Sequence, residues 1–510
     1  MSAADAPTPI NRSMITISIM LATLIQTLDS TIANVALPHM QGALSASQDE
    51  ITWVLTSYIV AAAIATPLTG WLAARYGTTQ LLCASIAGFT IASVLCGISD
   101  SLAQIVAARL LQGLFGASLV PLSQSILLNI NPPKKQPQAM AIWGVGVMVG
   151  PILGPTLGGW LTDSYNWRWV FFINLPIGLL ALLGVMTYMP RIKAAGKSTL
   201  DLFGFITLSF AIGALQALLD RGQQKDWFNS TEIRIEAAVA VISFTFFLIH
   251  TATAGERSFF RIELLKDRNF VTGSCFIFVI GAILYATRAL LPPMLEDLMG
   301  YPVATTGLVT APSGIGTMVA MLVVGKLVGR LDVRGLLLIG LLVAGYSLYQ
   351  MMGYTLVLSE SDIVWPGVIQ GVGLGLVFVP LSAVSFATLK PELRAYGTSI
   401  YSLMRNIGSS IGISVVQSVV TRNSQIAHAS LTEHVTQRES GGWMQYFDLA
   451  TEAGRAGVNR LIDQQSTMIG YADAFKLMFI ATLCILPLLL LIRSHGENAG
   501  KDAAAHAVMD

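Results

Sequence analysis

The sequence predicts an all-α polytopic membrane protein with fourteen transmembrane helices. Three observations carry this. Of 510 residues, 54% are hydrophobic and only 12% are charged, against about 25% charged in a typical soluble protein. Mean hydropathy is +0.65. Apolar runs of about 20 residues, the length that crosses a bilayer, recur along the whole chain. This composition excludes a water-soluble enzyme, a disordered chain and a nucleic-acid binder. With 30 basic and 29 acidic side chains there is no basic field for phosphate backbones.

The first run, 14–37, follows a short polar stretch with no cleavage signature, so it reads as a retained helix. Spans follow at 52–73, 79–98, 102–128, 139–161 and 169–189. Two more lie at 202–219 and 234–252, beyond a basic loop. The last six are placed at 270–292, 304–328, 335–355, 364–388, 396–420 and 474–493. An even number puts both termini on one side. With that side inside, inner segments carry eighteen Lys and Arg, while the short outer loops carry three: Arg168, Arg221 and Lys225. The positive-inside rule therefore predicts cytoplasmic termini. The remaining outer segment, 421–473, is long and polar, and Glu452 to Gln465 has the pattern of an amphipathic helix.

Cys83, Cys96, Cys275 and Cys484 sit in apolar runs without CxxC or Cys/His spacing, so neither a disulfide framework nor a metal site is expected. The nearest approach to a phosphate loop, Arg191-Ile-Lys-Ala-Ala-Gly-Lys-Ser198, lacks the first glycine and the strand–helix context. No cofactor, enzymatic activity or built-in ATP motor is expected.

An internal repeat sets the domain plan. Gln112-Gly113 followed by Val120-Pro121-Leu122-Ser123 recurs as Gln370-Gly371 followed by Val379-Pro380-Leu381-Ser382. Gly70-Trp71-Leu72 with Arg75 recurs as Gly325-Lys326-Leu327 with Arg330. Both matches are eight spans apart, so the copies run in the same membrane direction. The plan is 6+2+6: an N-terminal six-helix bundle (1–190), two inserted helices with a cytoplasmic linker (191–269), and a C-terminal bundle (270–510) that includes the outer segment 421–473. Parallel halves of this kind suit a secondary transporter.

Asp29 lies well inside span 1, where an ionised carboxylate is costly unless paired or hydrated. It reads as a proton carrier, or as a structural Asp bonded to its own helix. Arg109 in span 4 stays charged at any relevant pH and reads as a fixed cation beside a proton site, or as a tether between helices. Span 5 carries Gly146, Gly150, Gly154 and Gly158 at i, i+4 spacing with Pro151 and Pro155, which suits a hinge or a close helix contact. Span 13 repeats this on a smaller scale at Gly408 and Gly412, beside Arg405 and Asn406. Arg288 is a third intramembrane cation; it and Arg405 either touch substrate or tether helices. Gln26, Asn34, Gln112, Trp143, Tyr285, Gln370, Phe378 and Met404 complete the candidate lining of a substrate cavity. Gly70, Arg75, Gly77, Gly325, Arg330, Asp332 and Arg334 form candidate cytoplasmic gating loops.

These motifs resemble the fourteen-span drug:proton antiporters of the EmrB type, in the major facilitator superfamily. Leu28-Asp29-Ser-Thr-Ile-Ala-Asn34-Val-Ala-Leu-Pro38 is similar to that group's span 1 signature. Arg109-Leu-Leu-Gln112-Gly113 resembles the span 4 motif implicated in proton transfer. Gly150-Pro151-Ile-Leu-Gly154-Pro155-Thr-Leu-Gly158-Gly159 is similar to the span 5 antiporter motif, and Leu219-Asp220-Arg221-Gly222 is also typical. The loop after span 2 departs from the pattern, with Ala74 where an acid is common and Thr78 and Thr79 near the usual basic positions. The resemblance implies proton-coupled export of hydrophobic or amphipathic drugs across a bacterial inner membrane. It also implies a periplasmic membrane-fusion adaptor of the EmrA type and an outer-membrane channel of the TolC type. The segment 421–473 is then an adaptor contact or a cap over the cavity mouth. Export of a lipid, fatty acid or siderophore-like metabolite would use the same fold, and a non-transporting receptor is a remote alternative.

Overall fold

The computed structural model describes residues 11–190, 200–255, 258–433 and 451–492. Of the inner basic residues, Arg191, Lys193, Lys197, Arg257, Arg493 and Lys501 lie outside that set, as do the phosphate-loop-like stretch up to Ser198 and residues 434–450 of the outer segment. Among the described residues there is no β-strand, and thirteen helices are long and apolar enough to cross a membrane.

The first six are α1 (Arg12–Ala43), α2 (Trp53–Tyr76), α3 (Thr78–Gly97), α4 (Leu102–Ile130), α5 (Pro133–Ser164) and α6 (Trp169–Tyr188). Next come α7 (Leu202–Arg221) and α8 (Thr231–Ala254). The rest are α9 (Arg268–Leu298), α10 (Val303–Leu327), α11 (Val333–Met351), α12 (Glu360–Ala387), α13 (Arg394–Glu433) and α14 (Glu452–Leu491). Polar side chains start them where the apolar runs begin. Asn11 accepts from Met14 N–H, Asp201 from Gly204 N–H, Asp267 from Phe270 N–H and Thr451 from Gly454 N–H. Prolines punctuate them inside: α4 breaks into a turn at 117–118, where Pro121 has no N–H to offer the Ala117 carbonyl.

At two places the structure adds to the sequence expectation. The run at 396–420 lies in α13, which is not among the thirteen apolar helices. Arg405, Asn406 and a series of serines dilute its hydropathy, although its 40 residues extend about 60 Å, twice a bilayer core. In the outer segment 421–473 the expected helix at Glu452 to Gln465 is present, and there is more helix than expected beside it. Its described parts continue α13 outward to Glu433 and begin α14 at Glu452. These extensions hold each other through Asn423 Nδ2 donating to Asp473 Oδ2 at 2.9 Å and His428 beside Asp463 at 3.2 Å. At Gly470 they approach so closely that a Cβ would lie 2.6 Å from the Val420 carbonyl oxygen.

The packing repeats after eight helices. α1 packs on α5 and α6 as α9 packs on α13 and α14. α4 packs on α2 and α3 as α12 packs on α10 and α11. The contacts between the two sets are paired as well: α5 against α10 and α12, α13 against α2 and α4. α7 and α8 pack on each other, and α7 leans on both α2 and α13.

The core shows where the two sets meet. At the end bearing the basic loops, Ile15, Ile19, Leu122 and Met140 share one apolar cluster with Met321, Leu381, Tyr396 and Tyr401. At the opposite end the core divides. Ile32, Ala36, Leu161 and Phe171 belong to one cluster, and Leu290, Val309, Met351 and Phe475 to another. The two sets are therefore joined at the basic end and separately packed at the other.

Candidate proton-coupling site

Asp29 is completely buried on α1, and two helices, α4 and α6, supply its side-chain partners. Arg109 Nη1, from α4, donates to Asp29 Oδ2 at 2.6 Å. Gln112 Nε2, one turn along α4, donates to Oδ1 at 2.8 Å. Asn174 Nδ2, at the start of α6, donates to the same oxygen at 3.0 Å. The spacing of Arg109 and Gln112, i and i+3, puts both on the helix face that meets α1. An isolated carboxylate in hydrocarbon would be untenable; three donors, one of them a cation, make this one stable.

Arg109 is equally well held. Its Nε donates to the Val54 carbonyl of α2 at 3.0 Å and its Nη1 also to Gln112 Oε1 at 2.8 Å. The guanidinium lies 4.3 Å from the centre of the Tyr58 ring. Beyond Asn174, the chain of polar contacts continues to Ser93 Oγ at 3.0 Å, which donates to the Phe171 carbonyl. The sequence reading assigned Gln112 to a substrate cavity; here it is fully buried and serves the carboxylate. Asn174, Tyr58 and Ser93 were missed. Their only sequence signal was a polar atom inside an apolar run, which dozens of residues share.

The glycine stripe of α5 meets α1. A Cβ at Gly150 would fall 2.7 Å from Leu28 N, one at Gly146 2.7 Å from Met20 Cε, and one at Gly158 2.9 Å from Ile32 Cγ1. At Gly154 it would run into Thr31 Oγ1. Pro151 and Pro155 sit within an unbroken helix. In α13, Gly412 presses on Ala282 and Gly408 on the Phe278 backbone of α9.

The other cavity candidates divide into two groups. Trp143 is fully buried, donates to Thr23 Oγ1 at 3.2 Å and stacks on Phe378 across the two helix sets, so neither lines open space here. Gln370 is also buried, donating to Thr287 Oγ1. Gln26, Tyr285, Arg288, Met404, Arg405 and Asn406 are half-buried, and Asn34 is exposed. Of the gating candidates, Gly70 packs on Tyr396 and Gly325 on Ala141, both contacts crossing between the helix sets. The Arg75 guanidinium lies over the Trp71 and Tyr76 rings at 5.6 and 5.7 Å, and Gly77 has a φ of 90° that favours glycine. Arg330 donates its N–H to the Leu327 carbonyl, while Asp332 caps α11 through Arg334 N–H, and Arg334 Nε donates to the Ile492 carbonyl at 2.8 Å. Among the described residues there is no cluster of metal-ligating side chains.

The Major Facilitator Superfamily profile matches residues 19–413. The chain belongs to the major facilitator superfamily. Within the major facilitators it is similar to the Escherichia coli (strain K12) multidrug export protein EmrB, at 36% identity over 97% of this chain and 98% of that protein. It is 34% identical to the fatty acid resistance protein FarB of Neisseria gonorrhoeae, over 95% of this chain and 97% of FarB. Among solved structures, the human organic anion transporter MFSD10 (TETRAN) superposes with a TM-score of 0.58 over 93% of this chain and all of that one. At 15% identity that likeness speaks to the fold alone. This is a multi-pass membrane protein of the superfamily, with the EmrB-type chains as its near relatives.

Proposed function

We propose that this protein exports hydrophobic and amphipathic drugs across the bacterial inner membrane in exchange for protons. The observation that carries the reading is the buried Asp29–Arg109–Gln112–Asn174 cluster. A proton delivered to Asp29 removes the charge that holds Arg109, and with it the strongest bond tying α1 to α4. The Gly150 and Gly154 contacts then transmit a shift of α1 to α5, which borders the opposite helix set. Bundles 1–190 and 270–510 are the moving halves, with 191–269 inserted between them. Both termini are cytoplasmic in this reading, so closure at the basic end makes the structure outward-facing. Protons enter from outside, neutralise Asp29 and reset the pump. One charge moving down 100 mV supplies about 2.3 kcal/mol. The near relatives' names, multidrug export among them, support drug export.

An EmrA-type adaptor and a TolC-type channel would complete a tripartite pump, with the α13–α14 extension facing the adaptor. A second reading, export of a fatty acid, is favoured by the likeness to FarB. Competition by defined lipids separates the two.

The test is dye uptake into energised inverted vesicles, with and without a protonophore. Uptake that collapses with the protonophore and in Asp29→Asn supports proton antiport through Asp29. Uptake that survives the protonophore overturns proton coupling.

A further inference from the structure

We propose that Asn174 reads the protonation state of Asp29: its side-chain amide turns over when the carboxylate becomes an acid, and the turn is passed through Ser93 to a joint in α6. This rests on the proton-antiport reading and adds a positioning residue to the same site.

The groups around Asp29 suit one protonation state only. Arg109 holds Oδ2 at 2.6 Å, while Gln112 and Asn174 hold Oδ1 at 2.8 and 3.0 Å. All three donate, as a carboxylate requires. A neutral carboxyl carries an O–H of its own, and a buried O–H needs an acceptor. The proton belongs on Oδ1, which faces two neutral amides, and not on Oδ2, which faces a guanidinium. Gln112 Oε1 is already taken, by Arg109 Nη1 at 2.8 Å and Cys96 Sγ at 3.5 Å. Asn174 is completely buried, and its Oδ1 has no donor among the described residues. The spare acceptor beside Asp29 thus sits on the same amide that donates to it.

Half a turn of that amide exchanges its oxygen and nitrogen. As folded, Nδ2 uses its two hydrogens on Asp29 Oδ1 and on Ser93 Oγ, each at 3.0 Å. Ser93 donates its own hydrogen to the Phe171 carbonyl at 2.9 Å. Once turned, Asn174 Oδ1 accepts from the Asp29 O–H and from Ser93 Oγ. A hydroxyl has one hydrogen, so Ser93 leaves Phe171 to make that bond. The proton itself stays on Asp29. With Asp29 ionised, the turned amide would set oxygen against oxygen; with Asp29 neutral, the unturned amide sets donor against donor. Each position leaves part of the amide unmet, Oδ1 in one and Nδ2 in the other, so the charge on Asp29 selects between them.

Phe171 lies in the short first segment of α6, Trp169–Phe172, which is jointed at Ile173 to the main helix, Asn174–Tyr188. That segment packs on α1, α3 and α5, and Phe171 shares an apolar cluster with Ile32 of α1 and Leu161 of α5. Releasing its carbonyl loosens the joint where it bears on α5, the helix that borders the opposite bundle.

The experiment pairs two measurements on the purified full chain in lipid. Acid-minus-neutral infrared difference spectra report Asp29 as a carboxyl band that Asp29→Asn abolishes. In the wild type a side-chain amide band should shift together with it; Asn174→Leu should lose the amide shift and keep the carboxyl band. Hydrogen exchange at one fixed pH reports the joint, with Asp29→Asn standing for the neutral carboxyl because its amide also donates. Peptides spanning 169–175 should exchange about three-fold or more faster in Asp29→Asn than in the wild type, the loss of one hydrogen bond. In an Asn174→Leu background the Asp29 substitution should add nothing. Faster exchange that persists in that background, or a carboxyl band with no amide shift, would overturn the proposal. If Asn174→Leu lowers the thermal midpoint markedly, Ser93→Ala, which cuts the path to Phe171, decides by the same exchange readings. The two readings fail distinguishably. A wild type without an Asp29 carboxyl band sinks proton coupling through Asp29 and the turn with it; a carboxyl band without the amide shift sinks the turn alone.

Discussion

Gln370 Nε2 donates to the Thr287 hydroxyl at 2.9 Å, in the C-terminal counterpart of the place where Gln112 meets Asp29. The two glutamines are 258 residues apart, and so are Asp29 and Thr287. The duplicated scaffold thus keeps its amide donor in both halves but carries a carboxylate in only one. Where the first copy has Arg109, the second has Gly367 at the same offset. Two side-chain identities on one shared framework place the buried carboxylate–guanidinium pair in the N-terminal bundle and not at the matching positions of the C-terminal one.

Removing Arg109 should therefore harm stability more than removing both members of the pair. Arg109→Ala leaves a buried carboxylate without its cation and should cost roughly 3–5 kcal/mol. Asp29→Asn with Arg109→Gln should cost clearly less, because amide pairs can replace the ion pair. Thermal unfolding in detergent measures both. A double variant less stable than Arg109→Ala would contradict the account.

The α1–α5 seam should be intolerant of bulk at defined points. Gly154→Val drives a side chain into Thr31, and Gly150→Val into Thr27 and Leu28; each should cost about 1–3 kcal/mol. Gly159, where a Cβ would meet nothing within 4 Å, is the control. Gly159→Ala should be neutral or gain up to about 1 kcal/mol from helix propensity. The thermal midpoints should rank accordingly.

Arg394 clamps the basic end. Its Nη1 donates to the Leu128 carbonyl at 2.7 Å and to Asn129 Oδ1 at 2.9 Å, both on the opposite bundle. Charge-assisted bonds of this kind contribute about 1.5–3 kcal/mol, so Arg394→Ala should raise the population open at that end roughly 10-fold or more. A cysteine placed at Ala141, buried against Gly325, reports it through faster labelling by a membrane-impermeant thiol reagent. Unchanged labelling would mean that the apolar cluster alone holds the end shut.

The outer helical extension should depend on its close contact more than on its ion pair. His428 and Asp463 are 33% and 56% exposed, so His428→Ala should cost under about 1 kcal/mol. Gly470→Val, which pushes a side chain onto Ser424 and the Val420 backbone, should separate α13 from α14 and increase cleavage by added protease at that end.

Much of this was legible in the residues. Asp29 and Arg109 announced themselves because charge inside an apolar run has to be answered. The glycine stripe announced a close neighbour through its period, though not which helix. Trp143 and Phe378 looked like cavity lining; their burial depends on which end of the molecule is closed, and no residue pattern encodes that. Asn174 escaped notice because an amide is cheap enough in a helix to need no special reason. The helix at Glu452 to Gln465 was legible from its pattern; that α13 runs on beside it to Glu433 was not, because the pairing of Asn423 with Asp473 and of His428 with Asp463 shows only when the two helices are side by side.

The polar character of α13 has a consequence for how the chain is made. A segment with Arg405 and Asn406 near its middle lacks the apolarity to partition from the translocon into lipid unaided, since a central Arg alone costs about 2.5–3.5 kcal/mol on the insertion scale. Its close partners are α9, synthesised well before it, and α14, synthesised after it. Membrane entry of α13 is therefore a cooperative event that waits on a neighbour. The neighbour already present when α13 emerges is α9, so the glycine contacts of Gly408 and Gly412 with α9 are the ones on which its membrane entry depends first.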